Sequence, residues 1–277
     1  MVTATPNPTL IAFIGDLHGK LAAFEHTTAQ ALNRGATTII QVGDFWIYDN
    51  PRQLAKLQRV LRRISPDGIA DEDIDYRFID GNHEKFDILN PDATAPVAMS
   101  DNLTYMPRGT HARLAGADIL FFGGASSVDR DHRTEGTTWW PAENITAEQV
   151  QLVTDTPTAP VDILVTHDTS TAGFAALLDH GGHARDKTDD PAGTTNRAYL
   201  DTVITHTRPR VQVHGHHHTR HTTTHTQAGH PLTTIALNLE KARGSVILCD
   251  TTDWSWTIPV GRKDTGADEH VTPTPAP

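Results

Sequence analysis

The chain has 277 residues, of which 37% are hydrophobic, and this length suits one large α/β domain or two small ones. Its formal net charge of −11 at pH 7 disfavours broad electrostatic adhesion to nucleic acid or to anionic membranes. The single cysteine, Cys249, excludes an internal disulfide framework. Because we find neither the features of a signal peptide nor a run of about 18 apolar residues, we expect a soluble cytoplasmic protein with no membrane partner.

The first eighty residues alternate between short apolar runs and helical patterns. Strands are predicted at 10–14, at about 38–42 and at 76–80. Between them, apolar residues recur at helical spacing after Leu21, and Pro51 opens a second helix with a leucine stripe. This βαβαβ order favours a parallel sheet with right-handed crossovers.

The middle of the chain is less regular. A strand is predicted at 119–122, followed by a long connection that contains Arg130, Arg133 and two adjacent tryptophans. A functional loop and an ordinary surface loop both fit this composition. A short helix is predicted after Thr146, which has the side chain of an N-cap residue.

The C-terminal third contains a polar, glycine-rich stretch at 179–196, which predicts a mobile flap. The tail at 263–277 is polar and rich in proline and threonine, which predicts disorder and leaves residues 1–262 as one domain. The elements predicted between these two stretches are a helix at about 197–206, a strand at 211–213 and closing antiparallel strands near 233–238, 245–249 and 254–259.

Five of the strand-like segments stop, usually at a glycine, and a side chain that binds metals follows at once. Ligands of open α/β sheets bind outside the carboxyl ends of the strands, so these side chains are expected to meet at one edge. They are Asp16 and His18, Asp44, Asn82, His167, and two of the histidines at 214–218.

Seven oxygen and nitrogen donors are too many for a structural zinc ion, which takes four ligands. They suit two divalent ions bridged by a carboxylate, an arrangement that activates water and neutralises a phosphoryl oxygen. The absence of cysteine among them favours Mn, Fe, Zn or Co, without choosing between these metals. Spacing alone also leaves two pairings open, since His214 and His216 are as far apart as His216 and His218.

The motifs resemble those of the calcineurin-like metallophosphoesterase superfamily, whose pattern is D-x-H, G-D, G-N-H-D/E, a lone H and G-H-x-H. The resemblance extends over positions 15 to 218, with all motifs in order. They are GDLHG (15–19), GD (43–44), GNHE (81–84), THD (166–168) and GHHH (215–218).

The resemblance implies a fold, α/β with four layers in the order α/β/β/α, and a metal site at the carboxyl ends of the strands. It also implies hydrolysis of a phosphate ester by a hydroxide that two metal ions activate. His83 would protonate the leaving group or stabilise the transition state. Glycine before the first histidine selects His216 and His218, with His214 as a neighbour that supports the ligands without binding metal. The implied ligands are Asp16, His18 and His218 for one metal, Asn82, His167 and His216 for the other, and Asp44 as the bridge and as a catalytic residue.

A phosphomonoesterase acting on a small phosphate ester is the favoured activity, and a phosphodiesterase acting on a cyclic nucleotide or nucleic acid is the alternative. The arginine that follows the second motif in the protein serine/threonine phosphatases is missing after Asp44, which argues against a phosphoprotein substrate. Arg130 and Arg133 are candidates for binding the substrate phosphate, and two surface salt bridges are the competing interpretation.

Two hypotheses from other classes compete with the enzyme. A non-catalytic metal-binding or scaffold protein would have lost a ligand or the histidine after Asn82, and none is lost here. A histidine-rich metal buffer is suggested by the many histidines between 206 and 230. It predicts that His83→Ala changes no activity. The sequence does not determine the oligomeric state.

Overall fold

A computed structural model of the chain describes residues 4–47, 49–157, 161–181, 190–260 and 267–271. None of the helices in these ranges combines the length and the apolar character that crossing a bilayer requires. The α-helices are α1 (Leu21–Leu32), α2 (Pro51–Ile64), α3 (Ala147–Thr154), α4 (Thr171–His180) and α5 (Pro191–Thr207).

The first sheet has eight strands in the order β14-β13-β12-β1-β2-β3-β5-β4. Its centre is parallel, because β1, β2, β3 and β5 run in one direction, while the outer strands pair antiparallel. The strands are β1 (Leu10–Ile14), β2 (Thr38–Gln41), β3 (Asp75–Phe78), β4 (Val97–Ser100), β5 (Leu103–Tyr105), β12 (Val246–Asp250), β13 (Ser255–Ile258) and β14 (Glu269–Val271).

The second sheet has six strands in the order β10-β11-β9-β8-β7-β6. Four of them, β7, β8, β9 and β11, are parallel, and β6 and β10 close the two edges antiparallel. The strands are β6 (Thr110–Leu114), β7 (Ala117–Phe122), β8 (Ile163–Thr166), β9 (Val211–His214), β10 (His221–Gln227) and β11 (His230–Ala236).

The alternation of side chains along each strand generates three stacked cores. On β1, Ile11 and Phe13 pack between the two sheets, whereas Ala12 and Ile14 pack under α1 and α2. On β7, Ile119 and Phe121 face the same core between the sheets, while the alternating residues pack with α3 and α5. The layers therefore follow the order helices, sheet, sheet, helices, and the predicted four-layer fold is confirmed.

Local capping explains where α2, α3 and α4 begin. Asn50 accepts a hydrogen bond from the Gln53 backbone N–H at 3.0 Å, and Pro51 occupies the first turn of α2, where its missing N–H costs nothing. Thr146 caps α3 in a capping box with Gln149, as predicted. Ser170 caps α4.

The C-terminal third differs from the prediction at three places. β11 pairs in parallel with β9, because the polar segment before it folds back as β10 and occupies the outer edge. Helix α5 begins at Pro191, so part of the predicted flap is helical, while residues 182–189 lie outside the described residues. Glu269–Val271, in the tail predicted to be disordered, form β14 on the edge of the first sheet.

Candidate metal centre

The side chains predicted to bind metal follow the carboxyl ends of parallel strands in both sheets. β1, β2 and β3 of the first sheet and β8 and β9 of the second each run into a short loop at this edge. These loops carry Asp16 and His18, Asp44, Asn82 and His83, His167, and His216 and His218.

One group of candidate ligands contains two carboxylates and two histidines: Asp16, His18, Asp44 and His218. Their ligand atoms all lie within 4.8 Å of one another. His218 Nε2 lies 3.0 Å from Asp16 Oδ2 and 3.1 Å from His18 Nε2. His18 Nδ1 lies 3.7 Å from Asp44 Oδ2. Donors bound at about 2 Å from a common ion are separated by about 3 Å, so this group suits one divalent ion.

A second group surrounds the other oxygen of Asp44. His167 Nε2 lies 3.3 Å from Asp44 Oδ1, and the centroids of the His167 and His216 rings are 5.1 Å apart. The backbone N–H of His83, next to Asn82, donates to the same Asp44 Oδ1 at 2.8 Å. Asp44 therefore stands between two candidate metal positions.

The run of histidines after β9 divides into residues inside and outside these groups. The backbone N–H of His216 donates to both carboxylate oxygens of Asp16 at 3.2 Å, and the side chain of His218 contacts the same carboxylate. His214 is fully buried outside the first group, with Nδ1 3.1 Å from the Gly215 carbonyl oxygen. Burial and the nearby His217 lower the pKa of His214 to about 3, so it stays neutral.

Glycines before the ligands allow the loops to approach one another closely. A Cβ atom on Gly215 would lie 2.1 Å from Asp16 Oδ1, and one on Gly81 would lie 2.3 Å from Asp44 Oδ1. Four candidate ligands also adopt left-handed backbone conformations, which are uncommon for residues other than glycine. Their φ angles are 46° at His18, 56° at Asp44, 63° at His216 and 48° at His218.

The two buried carboxylates are ionised. Burial alone would raise the pKa of Asp44, but the neighbouring His167 and His83 lower it well below its usual range. The pKa of Asp16 is also lowered, because His218 and His167 outweigh the effect of burial. In the opposite sense, burial would lower the pKa of His167, but Asp44 raises it to about 9. The two carboxylates therefore supply negative charge for a cation, and a cation that binds His167 would take the place of its proton.

The donor set fits divalent transition metals, because it contains carboxylate, amide and imidazole groups and no thiolate. The side-chain oxygen of Asn82 is buried and has no hydrogen-bond partner among the described residues. Since buried polar atoms are normally paired, a metal ion is the natural partner for this oxygen. Across the ranges that the structure describes, only the Asp16 group has three or more acidic, histidine or cysteine side chains spaced for a metal, so the second candidate position, at Asp44 Oδ1, has fewer closely spaced donors.

His83 and the two candidate arginines are only partly buried. Arg133 Nη2 lies 3.0 Å from His83 Nε2, and Arg133 also pairs with Asp129 at 2.9 Å. Arg130 instead faces Asp190 at 3.8 Å. Burial lowers the pKa of His83; Asp44 opposes this effect, and Arg133 adds to it. The structure thus brings Arg133, but not Arg130, into contact with a predicted catalytic residue.

Two residues that were not among the predicted site residues, Val42 and Glu84, hold the candidate ligands in place. The carbonyl oxygen of Val42 accepts a hydrogen bond from His167 Nδ1 at 2.7 Å, which leaves Nε2 to face Asp44. Glu84 accepts the backbone N–H groups that follow Asp44, at 2.7 and 3.2 Å, and so fixes that loop. The position of Glu84 at the end of the GNHE motif could have indicated its supporting role from the sequence. No pattern around Val42 indicates the role of that residue.

Both the motifs and the fold occur in known proteins. A sequence model described as calcineurin-like phosphoesterase matches residues 9–220. A search of curated proteins found no match. Among solved structures, the fold is similar to a dimetal phosphatase from Danio rerio (TM-score 0.55, 12% identity, 97% of this chain and 100% of that one). It is also similar to TT1561 of Thermus thermophilus (TM-score 0.51, 12% identity, 90% and 97%).

The family match extends over most of the chain and includes every motif that carries a candidate ligand. The similarity to the solved structures is a similarity of fold, because the sequences are only 12% identical. The family expected from the motifs is confirmed. The chain belongs to the calcineurin-like phosphoesterase family and is a metal-dependent hydrolase that acts on phosphate esters.

Proposed function

We propose that the chain is a two-metal phosphomonoesterase that acts on a small phosphate ester. The observation that carries the proposal is the position of Asp44, whose Oδ2 faces His18 and whose Oδ1 faces His167. A carboxylate in this position would be shared by two ions, and each ion would then have a separate set of donors. The proposed sets are Asp16, His18 and His218 for one ion, and Asn82, His167 and His216 for the other.

When bound, two divalent ions supply a nucleophile from water at neutral pH and positive charge for the phosphoryl oxygens. The chain's own residues orient the ester and manage its charge. His83 lies at the rim of the cluster, where its ring meets the His18 ring edge-on at 5.0 Å between centroids. From there it donates a proton to the leaving oxygen or a hydrogen bond to the phosphoryl group.

Arg133 supports the choice of a monoester. A terminal phosphoryl group has more negative charge and more free oxygens than a diester, and a guanidinium next to His83 provides additional donors for them. The charged partners of Arg130 are Asp190 and Asp131, so we expect Arg130 to contribute less to phosphate binding than Arg133 does.

The test is hydrolysis of 4-nitrophenyl phosphate beside bis(4-nitrophenyl) phosphate, with Mn²⁺ added and with chelator. Wild type is expected to hydrolyse the monoester faster and only with metal. Asp44→Ala is expected to lose at least about 10³-fold in kcat, since it removes a residue shared by both ions. Faster hydrolysis of the diester would favour the phosphodiesterase. Equal turnover by Asp44→Ala would exclude the proposed centre.

Manganese is the proposed metal among Mn, Fe, Zn and Co, and metal analysis of the protein as isolated tests it.

The cytoplasm is the proposed compartment. It is supported by the single cysteine, Cys249, which is free and leaves the chain without an internal disulfide, as is usual for proteins of reducing compartments. Fractionation of the source cells checks this location.

A further inference from the structure

Next to Asn82 lies a buried pair formed by Ser127 and Glu143. Ser127 belongs to the loop after β7, and Glu143 to the short 3₁₀ turn Pro141–Glu143. Their exposed fractions are 1% and 0%. Asn82 Nδ2 lies 3.1 Å from Ser127 Oγ, which in turn lies 2.7 Å from Glu143 Oε2. The candidate ligand Asn82 is therefore connected to a buried carboxylate through one hydroxyl group.

The direction of each hydrogen bond follows from the protons available. Glu143 accepts the backbone N–H of Ser127 at 2.6 Å and the hydroxyl proton of Ser127 at 2.7 Å. A serine hydroxyl has one proton, so its oxygen is only an acceptor toward Asn82. The amide of Asn82 must then present Nδ2 to Ser127 and Oδ1 to the opposite side.

We propose that Ser127 and Glu143 are positioning residues that hold the Asn82 amide with its oxygen, rather than its nitrogen, toward a metal ion. This inference rests on the proposed function, because it takes Asn82 as a ligand. The unpaired, buried Oδ1 of Asn82 is the atom that this orientation leaves for the metal. An amide nitrogen at the same place has no lone pair to offer, so a flipped side chain would not bind.

Glu143 is itself held in place by Arg108, whose side chain is fully buried. Arg108 donates to the backbone carbonyl oxygens of residues 142–144 at 2.6 to 2.9 Å. It also pairs with Asp80 at 2.6 Å, directly before the loop that carries Asn82. The carboxylate of Glu143 and the end of β3 are thus fixed relative to each other.

Glu143→Gln tests orientation separately from packing, since the two side chains have the same shape. A glutamine amide oxygen accepts the Ser127 backbone N–H, and its NH₂ group then donates to Ser127 Oγ. The hydroxyl of Ser127 is then free to point its proton toward Asn82. The Asn82 amide turns so that Oδ1 accepts this hydrogen bond. The substitution therefore reverses the hydrogen bonds and turns the Asn82 nitrogen toward the metal.

The experiment is equilibrium dialysis of the metal-free protein against graded Mn²⁺, with bound metal counted per folded chain and folding checked by circular dichroism. Wild type is expected to bind two ions. Ser127→Ala and Glu143→Gln are expected to keep one ion at wild-type affinity and to bind the other about 10- to 100-fold more weakly. Ser126→Ala is the matched control, because Ser126 is equally buried and its hydroxyl contacts Asp190 instead.

Asn82→Ala distinguishes the role of Asn82 as a ligand from the role of Ser127 and Glu143 as positioning residues. It is expected to weaken the same ion, and Glu143→Gln is expected to add no further loss in the Asn82→Ala background. If Asn82→Ala binds both ions normally, Asn82 is not a ligand and the inference is wrong together with that part of the proposed function. If Asn82→Ala loses an ion while Glu143→Gln binds both normally, the positioning role is wrong and the ligand assignment stands.

Discussion

At the scale of single residues, His83 has two chemical roles open to it. It can donate a proton to the leaving oxygen, or it can stabilise charge on the phosphoryl group without transferring a proton. Its ring lies 5.0 Å from the His18 ring, and its Nε2 accepts a hydrogen bond from Arg133, so Nδ1 is the nitrogen that carries a proton for either role. The leaving group of the substrate distinguishes them, since a stable phenolate needs no proton.

His83→Ala is expected to lower kcat by about 10²- to 10³-fold while the chain still binds its metal ions. If His83 is a general acid, the loss should be larger for phenyl phosphate than for 4-nitrophenyl phosphate. Steady-state kinetics on both esters, with metal analysis of each sample, measure this. His132→Ala is the control, because it removes an exposed histidine from the neighbouring loop. Unchanged turnover in His83→Ala would favour the metal-buffer hypothesis.

The two arginines of the same loop should behave differently. Arg133→Ala is expected to reduce kcat/KM for the monoester by about 10- to 100-fold, because it removes a charged donor beside His83. Arg130→Ala is expected to change it by less than about threefold, since Arg130 makes a partly exposed ion pair with Asp190. The two values are measured side by side. The reverse order would assign phosphate binding to Arg130.

At the scale of secondary-structure elements, a buried ion network connects α5 to the loops after β8 and β9. Asp168 Oδ1 lies 2.8 Å from His217 Nε2, and Asp168 Oδ2 lies 3.6 Å from Arg197 Nη1. Arg197, on α5, also packs over the Phe174 ring of α4 at 4.0 Å. Because His167 precedes Asp168 and His217 stands between two candidate ligands, this network holds two loops that carry candidate ligands against the helical layer.

Asp168→Asn is expected to lower the free energy of unfolding by about 3 kcal/mol, because it leaves the buried Arg197 without its charge partner. Urea denaturation of the metal-free protein measures the change without a contribution from bound ions. The matched variant Asp118→Asn breaks a pair with Arg113 that is mostly exposed to water. It should cost less than about 1 kcal/mol. Equal effects of the two variants would show that the buried network does not stabilise the fold.

At the scale of the whole molecule, the sequence predicts the structural features that depend on residues close together in the chain. Asp16, Asp44 and His167 each follow a buried apolar strand, so the edge at which they meet can be predicted from the order of residues alone. The direction of β11 cannot be predicted in this way, because the alternating sequence pattern of a strand is the same whether the strand runs parallel or antiparallel to its neighbour. Its direction depends on β10 folding outside it.

The residues that support the candidate ligands could not be predicted from the sequence for a related reason. Glu143 contacts Ser127 from 16 positions away and reaches Asn82 only through that serine. His217 finds its partner Asp168 at a separation of 49 positions. A pattern of short motifs contains the donors that touch a metal, but contacts between distant loops decide how those donors are oriented.

The stability of the whole chain should vary with pH differently in wild type and in Glu143→Gln. Burial raises the pKa of Glu143 above its ordinary value of 4.5, and hydrogen bonds from Ser127 only partly oppose this. The folded chain therefore binds more protons than the unfolded chain between 4.5 and the raised pKa, and its stability falls as the pH rises through that window. Glu143→Gln removes this loss. With chelator present, its Tm relative to wild type should increase from about pH 4 to about pH 7 in calorimetry. A relative Tm that decreases would show that the charged hydrogen bonds to Ser127 outweigh burial.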